Sequence, residues 1–180
     1  MNVPNALTVL RIVLSPVIAL LLLDEDRFKD TLAAGAVCGA ALTDFLDGFL
    51  ARKQGKETKL GQFLDPLADK IYISSSFAIL SKRGRIPAWI PGVIIGRELL
   101  ITAFRLYAGS RGSSVPASMW GKLKTNSQLL ALLLVILDRE RALSSRMETT
   151  VVTLAVALTL YSGLDYLLKA GRYIQASEGD

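Results

Sequence analysis

Apolar residues fall into six blocks along the chain, at roughly 6–23, 31–51, 62–81, 86–108, 117–137 and 149–168. Each is close to the length a helix needs to cross the hydrocarbon core of a bilayer, and short polar connectors separate them. The pattern predicts an all-α integral membrane protein with six transmembrane helices, forming a single membrane domain over residues 1–180. Block three is the least apolar because it holds Asp65, Asp69 and Lys70, yet Ile71 to Leu80 continue its apolar run. A soluble bundle of this size could not bury six such blocks. The first block is expected to stay in the protein rather than be removed as a signal peptide. It is long, and Asp24-Glu25-Asp26 follows it in place of a small-residue cleavage site.

Against that apolar background, four aspartates stand out. The string reads Asp44-Phe-Leu-Asp47-Gly48-Phe-Leu-Ala51-Arg52, then eight residues, then Gly61-Gln-Phe-Leu-Asp65-Pro66-Leu-Ala-Asp69. Ionisable groups in a hydrophobic helix cost several kcal/mol each and mark functional sites by default. Spacings of three and four put each pair of carboxylates on one helix face, so two such helices can clamp divalent cations between them. Gly48 leaves room beside Asp47 for a ligand to lie against the helix. Pro66 is predicted near a first helical turn, where the missing N–H is harmless.

Composition narrows the chemistry further. The chain has 180 residues, 51% of them apolar, and no histidine; its mean hydropathy is +0.40. Without imidazole, the donors that remain are hard oxygens suited to Mg²⁺ or Mn²⁺. The single Cys38 rules out an internal disulfide and reads as a small packing residue. A net charge of +5 suits a surface lying against anionic headgroups. Nucleic acid is not an expected partner, because the basic residues are scattered among the apolar blocks. Lys and Arg divide almost evenly between the two sets of connectors, so charge bias alone orients the chain weakly.

At every fixed position the aspartate string resembles the signature of the CDP-alcohol phosphotransferase family: two aspartates, Gly, Ala-Arg, an eight-residue spacer, Gly and two more aspartates. At average residue usage, eight fixed positions coincide by chance on the order of once in 10¹⁰ starts. Within the family the chain is most similar to bacterial phosphatidylglycerophosphate synthases. That likeness extends to Val3-Pro-Asn5-Ala-Leu-Thr8-Val-Leu-Arg11, Gly96-Arg97-Glu98 with Arg105, Trp120-Gly121-Lys122-Leu-Lys124-Thr125 and Ser162-Gly163-Leu-Asp165-Tyr166.

The resemblance implies transfer of the phosphatidyl group from CDP-diacylglycerol to glycerol 3-phosphate, with release of CMP. It implies that Asp44, Asp47, Asp65 and Asp69 hold two Mg²⁺ or Mn²⁺ ions and that Asp69 also acts as the base. Arg52, two turns past Asp44, is placed to bind a phosphate oxygen of the CDP group. Asn5, Thr8, Gly48, Thr58 and Gly61 would line the CDP-lipid, although Asn5 and Thr58 could equally be helix caps. A site that uses nucleotides must open to the cytoplasm. Both termini and the site are therefore expected on the cytoplasmic face of the inner (plasma) membrane, in a multi-pass protein. An acceptor other than glycerol 3-phosphate, such as inositol phosphate or phosphatidylglycerol, and a divalent-cation transporter are the competing readings.

Four further cations point to the acceptor. Arg97 lies well inside block four, where a guanidinium needs an anion. Arg105 lies about two turns further on the same face, and Lys122 and Lys124 open block five. A phosphorylated acceptor would satisfy this cluster; the alternative is internal pairing of Arg97 with Glu98 or one of the aspartates. Gly35-x-x-x-Gly39 and Gly92-x-x-x-Gly96 have the spacing for close helix approach, either within one subunit or at the seam of a homodimer. Trp89 and Trp120 read as interfacial anchors, Arg11 as a side chain snorkelling to headgroups, and the charges around Lys82 as solvated connector residues.

Overall fold

The computed structural model describes the backbone of residues 3–54, 59–110, 118–138 and 145–177, and the side-chain surroundings of 10–43, 70–109, 118–138 and 147–171. Among the described residues there are six helices and no strands: α1 (Val3–Leu23), α2 (Arg27–Gln54), α3 (Lys59–Lys82), α4 (Trp89–Ser110), α5 (Met119–Leu137) and α6 (Ser145–Ser177). Each apolar block lies on one of them. Helices α2 and α6 outrun their blocks because the flanking Arg, Lys, Gln and Ala residues are strong helix formers in their own right.

Short connectors carry explicit stop and start signals. Asp26 caps α2, its Oδ1 accepting the Lys29 N–H at 3.0 Å. Helix α3 ends in a Schellman turn around Gly84, whose φ is 68°. There the Arg85 N–H reaches the Leu80 carbonyl and the Gly84 N–H the Ser81 carbonyl, both at 2.9 Å. Ser118 caps α5 by accepting the Trp120 N–H at 3.3 Å.

The chain divides into two compact units, Met1–Pro87 with Leu132–Ala142, and Ala88–Ala131 with Leu143–Asp180. In the first, α1 packs against both α2 and α3. Arg83, just past α3, donates to both oxygens of Asp30 near the start of α2, at 2.7 and 2.9 Å. It also reaches the Leu22 carbonyl at the end of α1, at 3.3 Å. Nearby in sequence, Arg85 donates to the carbonyls of Val135, in the last turn of α5, and Asp138, just past it. Helices α1 and α3 therefore run one way and α2 the other. The second unit alternates in the same manner, as its contacts below show.

The Arg83–Asp30 pair is nearly sealed from solvent, with side chains 8% and 4% exposed. The carboxylate raises the already high Arg83 pKa further, so the guanidinium stays charged. Asp30→Ala would leave that charge buried without its bidentate partner. We expect a loss of about 3–5 kcal/mol, read as a lowered unfolding midpoint in detergent; an unchanged midpoint would show that the pair is not a fastening.

Polarity is distributed inside out. Leu20, Leu42, Leu99, Leu164 and Leu168 are all more than 60% exposed, whereas Arg11, Asp30, Glu98, Lys124 and Gln128 are buried. Met147–Gly171 is the one stretch among the described residues that is long and apolar enough to cross a membrane. Ionisable residues dilute the remaining helices.

Four local expectations are corrected. Arg11 does not snorkel: it is fully buried, because it sits in the body of α1 where α2 and α3 cover it. Arg83 is not solvated connector charge. Cys38 is exposed rather than packed. A side chain added at Gly35, Gly39, Gly92 or Gly96 would meet nothing within 4 Å, so these faces are not packing seams within the described chain.

Candidate active site

Helix α2 continues without a break through Asp44, Asp47 and Arg52 to Gln54, and α3 begins at Lys59, ahead of Asp65 and Asp69. Residues three or four apart in a continuous helix stand about one turn apart along it. Pro66 falls at the eighth residue of α3, past the first turn where the sequence had placed it. Its missing N–H leaves the Gln62 carbonyl without an intrahelical partner. At 1.5 Å per residue, Asp47 lies roughly 25 Å along α2 from Asp30, and Asp65 lies a similar distance along α3 from Arg83. Both pairs thus occupy the end of the first unit remote from the Arg83–Asp30 fastening. Thr58 lies outside the described residues. The side chains of Asn5, Thr8, Asp44, Asp47, Gly48, Arg52, Gly61, Asp65 and Asp69 lie outside the described side-chain surroundings.

The second unit holds the other candidate residues. Arg97 on α4 donates from Nη1 to Glu98 Oε1 at 3.0 Å and from Nη2 to Ser162 Oγ on α6 at 2.8 Å. Lys124 on α5 donates to the same Glu98 oxygen. The side chains of Arg97, Glu98 and Lys124 are 11%, 9% and 8% exposed, so the chain Ser162–Arg97–Glu98–Lys124 ties three helices together away from bulk solvent. Internal pairing of Arg97 with Glu98, the alternative open from sequence, is present.

Further along α4, Arg105 is exposed, and its guanidinium lies over the Tyr166 ring at 5.6 Å from the centroid. Tyr166 packs with Ile101 and Ala170, flanked by Phe104 and Leu167. The progression from Arg97 at Ser162 to Arg105 at Tyr166 shows that α4 and α6 run in the same direction. Both arginines face α6, on the shared helix face that their spacing predicts. Lys122 is exposed at the start of α5.

The beginning of α5 is fastened to α6. Ser118 Oγ donates to Asp165 at 2.7 Å, Lys169 donates to the same carboxylate at 2.9 Å, and Trp120 meets Tyr161 edge to face at 4.6 Å. Deeper, Gln128 Nε2 donates to Thr159 Oγ1 at 2.8 Å. As α5 advances from 118 to 128 its partners on α6 recede from 165 to 159, so these two helices are antiparallel.

Sequence reasoning gave no role to Ser118, Ser162, Gly163 or Asp165. The available signal was small and polar residues one turn apart on an otherwise apolar helix, a pattern that marks buried polar contacts between membrane helices. Glu98 was read only as an alternative partner for Arg97. Its second contact, to Lys124, depends on tertiary proximity.

The family model for CDP-alcohol phosphatidyltransferase matches residues 1–161. The CDP-diacylglycerol–glycerol-3-phosphate 3-phosphatidyltransferase of Bacillus subtilis (strain 168) is 34% identical over 98% of this chain and 98% of its own. The protein of the same name from Escherichia coli (strain K12) is 35% identical over 94% of each. A probable phosphatidylglycerophosphate synthase of Mycobacterium tuberculosis (strain ATCC 25618 / H37Rv) is 39% identical over 96% of this chain and 83% of its own. A family match across most of the chain, agreeing with relatives of nearly equal length, shows that this chain belongs to the CDP-alcohol phosphatidyltransferase family.

Proposed function

We propose that the protein is a phosphatidylglycerophosphate synthase, which transfers the phosphatidyl group of CDP-diacylglycerol to sn-glycerol 3-phosphate. One observation carries the reading. The eight fixed residues of the aspartate string lie on two unbroken helices, in a chain matched nearly end to end by relatives that bear this activity's name.

The donor set fits a pair of hard divalent cations, Mg²⁺ or Mn²⁺. Four carboxylates from two helices supply about −4, and no softer ligand accompanies them. Asp44, Asp47, Asp65 and Asp69 would hold the ions, which when bound would neutralise the pyrophosphate and polarise its bridge. The acceptor hydroxyl oxygen attacks the phosphorus that carries diacylglycerol, and the bond from that phosphorus to the CMP oxygen breaks. Asp69 takes the hydroxyl proton. Arg52 offsets charge on the departing CMP, and Asn5, Thr8, Gly48, Thr58 and Gly61 line the nucleotide.

Arg97, Arg105, Lys122 and Lys124 are the cations for the acceptor's phosphate. The inside-out polarity supports embedding in a lipid bilayer, with six spans and the site at the cytoplasmic face of the inner membrane. The uncovered faces at Gly35, Gly39, Gly92 and Gly96 suit a second copy in a homodimer.

The test is CMP release by purified protein given CDP-diacylglycerol and a panel of acceptors. Glycerol 3-phosphate should be used and free glycerol should not. Arg105→Ala should raise the acceptor KM about 10-fold by loss of one charge-assisted bond, while the donor KM stays near its original value. Equal use of free glycerol, or an unmoved acceptor KM, would overturn the acceptor assignment.

A further inference from the structure

The four acceptor cations are not equivalent in the structure. Arg105 and Lys122 are exposed. Arg97 and Lys124 are enclosed and share Glu98 Oε1 as a partner. Glu98 is thus a buried carboxylate joining α4 to α5, and through Arg97 and Ser162 it also reaches α6. The exposed cations sit on the same two helices: Arg105 about two turns beyond Arg97, and Lys122 about half a turn before Lys124, hence on the opposite side of α5. A lane is kept open for this chain. A Cβ at Gly163 on α6 would come within 3.3 Å of Arg97 Cγ and 3.6 Å of its Nε, so only glycine leaves the arginine stem undisturbed there.

We infer that Glu98 is a positioning residue for the acceptor, fixing through Arg97 and Lys124 where α4 presents the exposed Arg105 to the acceptor's phosphate. The inference rests on the proposed use of a phosphorylated acceptor. Glu98 does not touch that acceptor: a carboxylate would repel a phosphate, and this one is committed to two cations. Its charge holds two like-charged side chains at one oxygen, where they would otherwise move apart and carry α4 and α5 with them. Glutamine has the same shape but no charge. It can accept from one of the two cations and cannot offset both.

The experiment is steady-state CMP release with acceptor and donor varied separately, on wild type, Glu98→Gln, Glu98→Asp, Gly163→Ala and Arg105→Ala. Glu98→Gln should raise the acceptor KM about tenfold with the donor KM within about twofold of wild type. Glu98→Asp, which keeps the charge on a shorter arm, should recover part of that loss. Gly163→Ala removes no charge and favours the helix, yet it pushes the Arg97 stem aside; it should raise the acceptor KM about two- to threefold. Should Glu98→Gln fail to fold, Glu98→Asp and Gly163→Ala decide the matter by the same split. Acceptor KM at wild-type values in the Glu98 and Gly163 variants, with Arg105→Ala still impaired, would overturn the positioning role alone. A parallel loss for donor and acceptor would also overturn it, since that is what general loosening of the fold produces. Free glycerol used as well as its phosphate by the wild type would instead remove the reading on which the inference stands.

Discussion

Asp69→Asn is expected to lower turnover by about 10³-fold while leaving CDP-diacylglycerol binding within a few-fold of wild type. Helix α3 runs unbroken from Lys59 to Lys82, so Asp65 and Asp69 are four residues apart on one face. The carboxamide keeps the volume and one neutral oxygen donor. What it lacks is the ability to accept a proton from the attacking hydroxyl, and a positioned general base contributes roughly 10²–10⁴ in rate. Asp44→Ala on α2 serves as the contrast, because it removes a ligand outright and should weaken donor binding itself. Turnover comes from CMP release and donor affinity from direct titration with CDP-diacylglycerol. Equal loss of donor affinity in the two variants would reduce Asp69 to a ligand and leave the base unassigned.

Removal of divalent cations should abolish activity altogether, and Mg²⁺ or Mn²⁺ should restore it. The four candidate ligands are carboxylates, and the chain has no histidine and one cysteine, so a soft or borderline metal has no matching donor set. Without cations, about four negative charges would face the pyrophosphate of the donor, and the site would repel the substrate it is built to hold. Chelation should therefore suppress donor binding as well as turnover, which separates it from Asp69→Asn. Full CMP release in rigorously metal-free buffer would dismiss the metal reading.

The helices were legible because hydropathy blocks and end signals agree. Gly84 and Pro87 mark the close of α3, and Asp26 marks the opening of α2, as local chemistry requires. The helical setting of the aspartate string was legible because apolar blocks two and three run through it. Pairings between distant segments were not legible. Arg83 and Asp30 are 53 residues apart, and nothing local distinguishes that arginine from its neighbour Lys82, which is exposed. Arg11 departs from its expected surroundings for a related reason. Snorkelling describes long side chains near helix ends, whereas Arg11 is well inside α1, where only the packing of α2 and α3 decides its surroundings. At Arg97 the sequence points first to an external phosphate and only second to the adjacent carboxylate or one of the aspartates. The structure supplies the carboxylate directly.

The Arg83–Asp30 fastening bears on the order in which the protein is made. The ribosome delivers α1 and α2 well before residue 83, so the nascent chain carries Asp30 through the emergence of all of α3 without its arginine. The Schellman turn at Gly84 forms only as that arginine arrives, so one stretch of a few residues both ends the helix and neutralises a charge laid down some fifty residues earlier. Biosynthesis of the first three helices thus has a natural point of completion at their last connector.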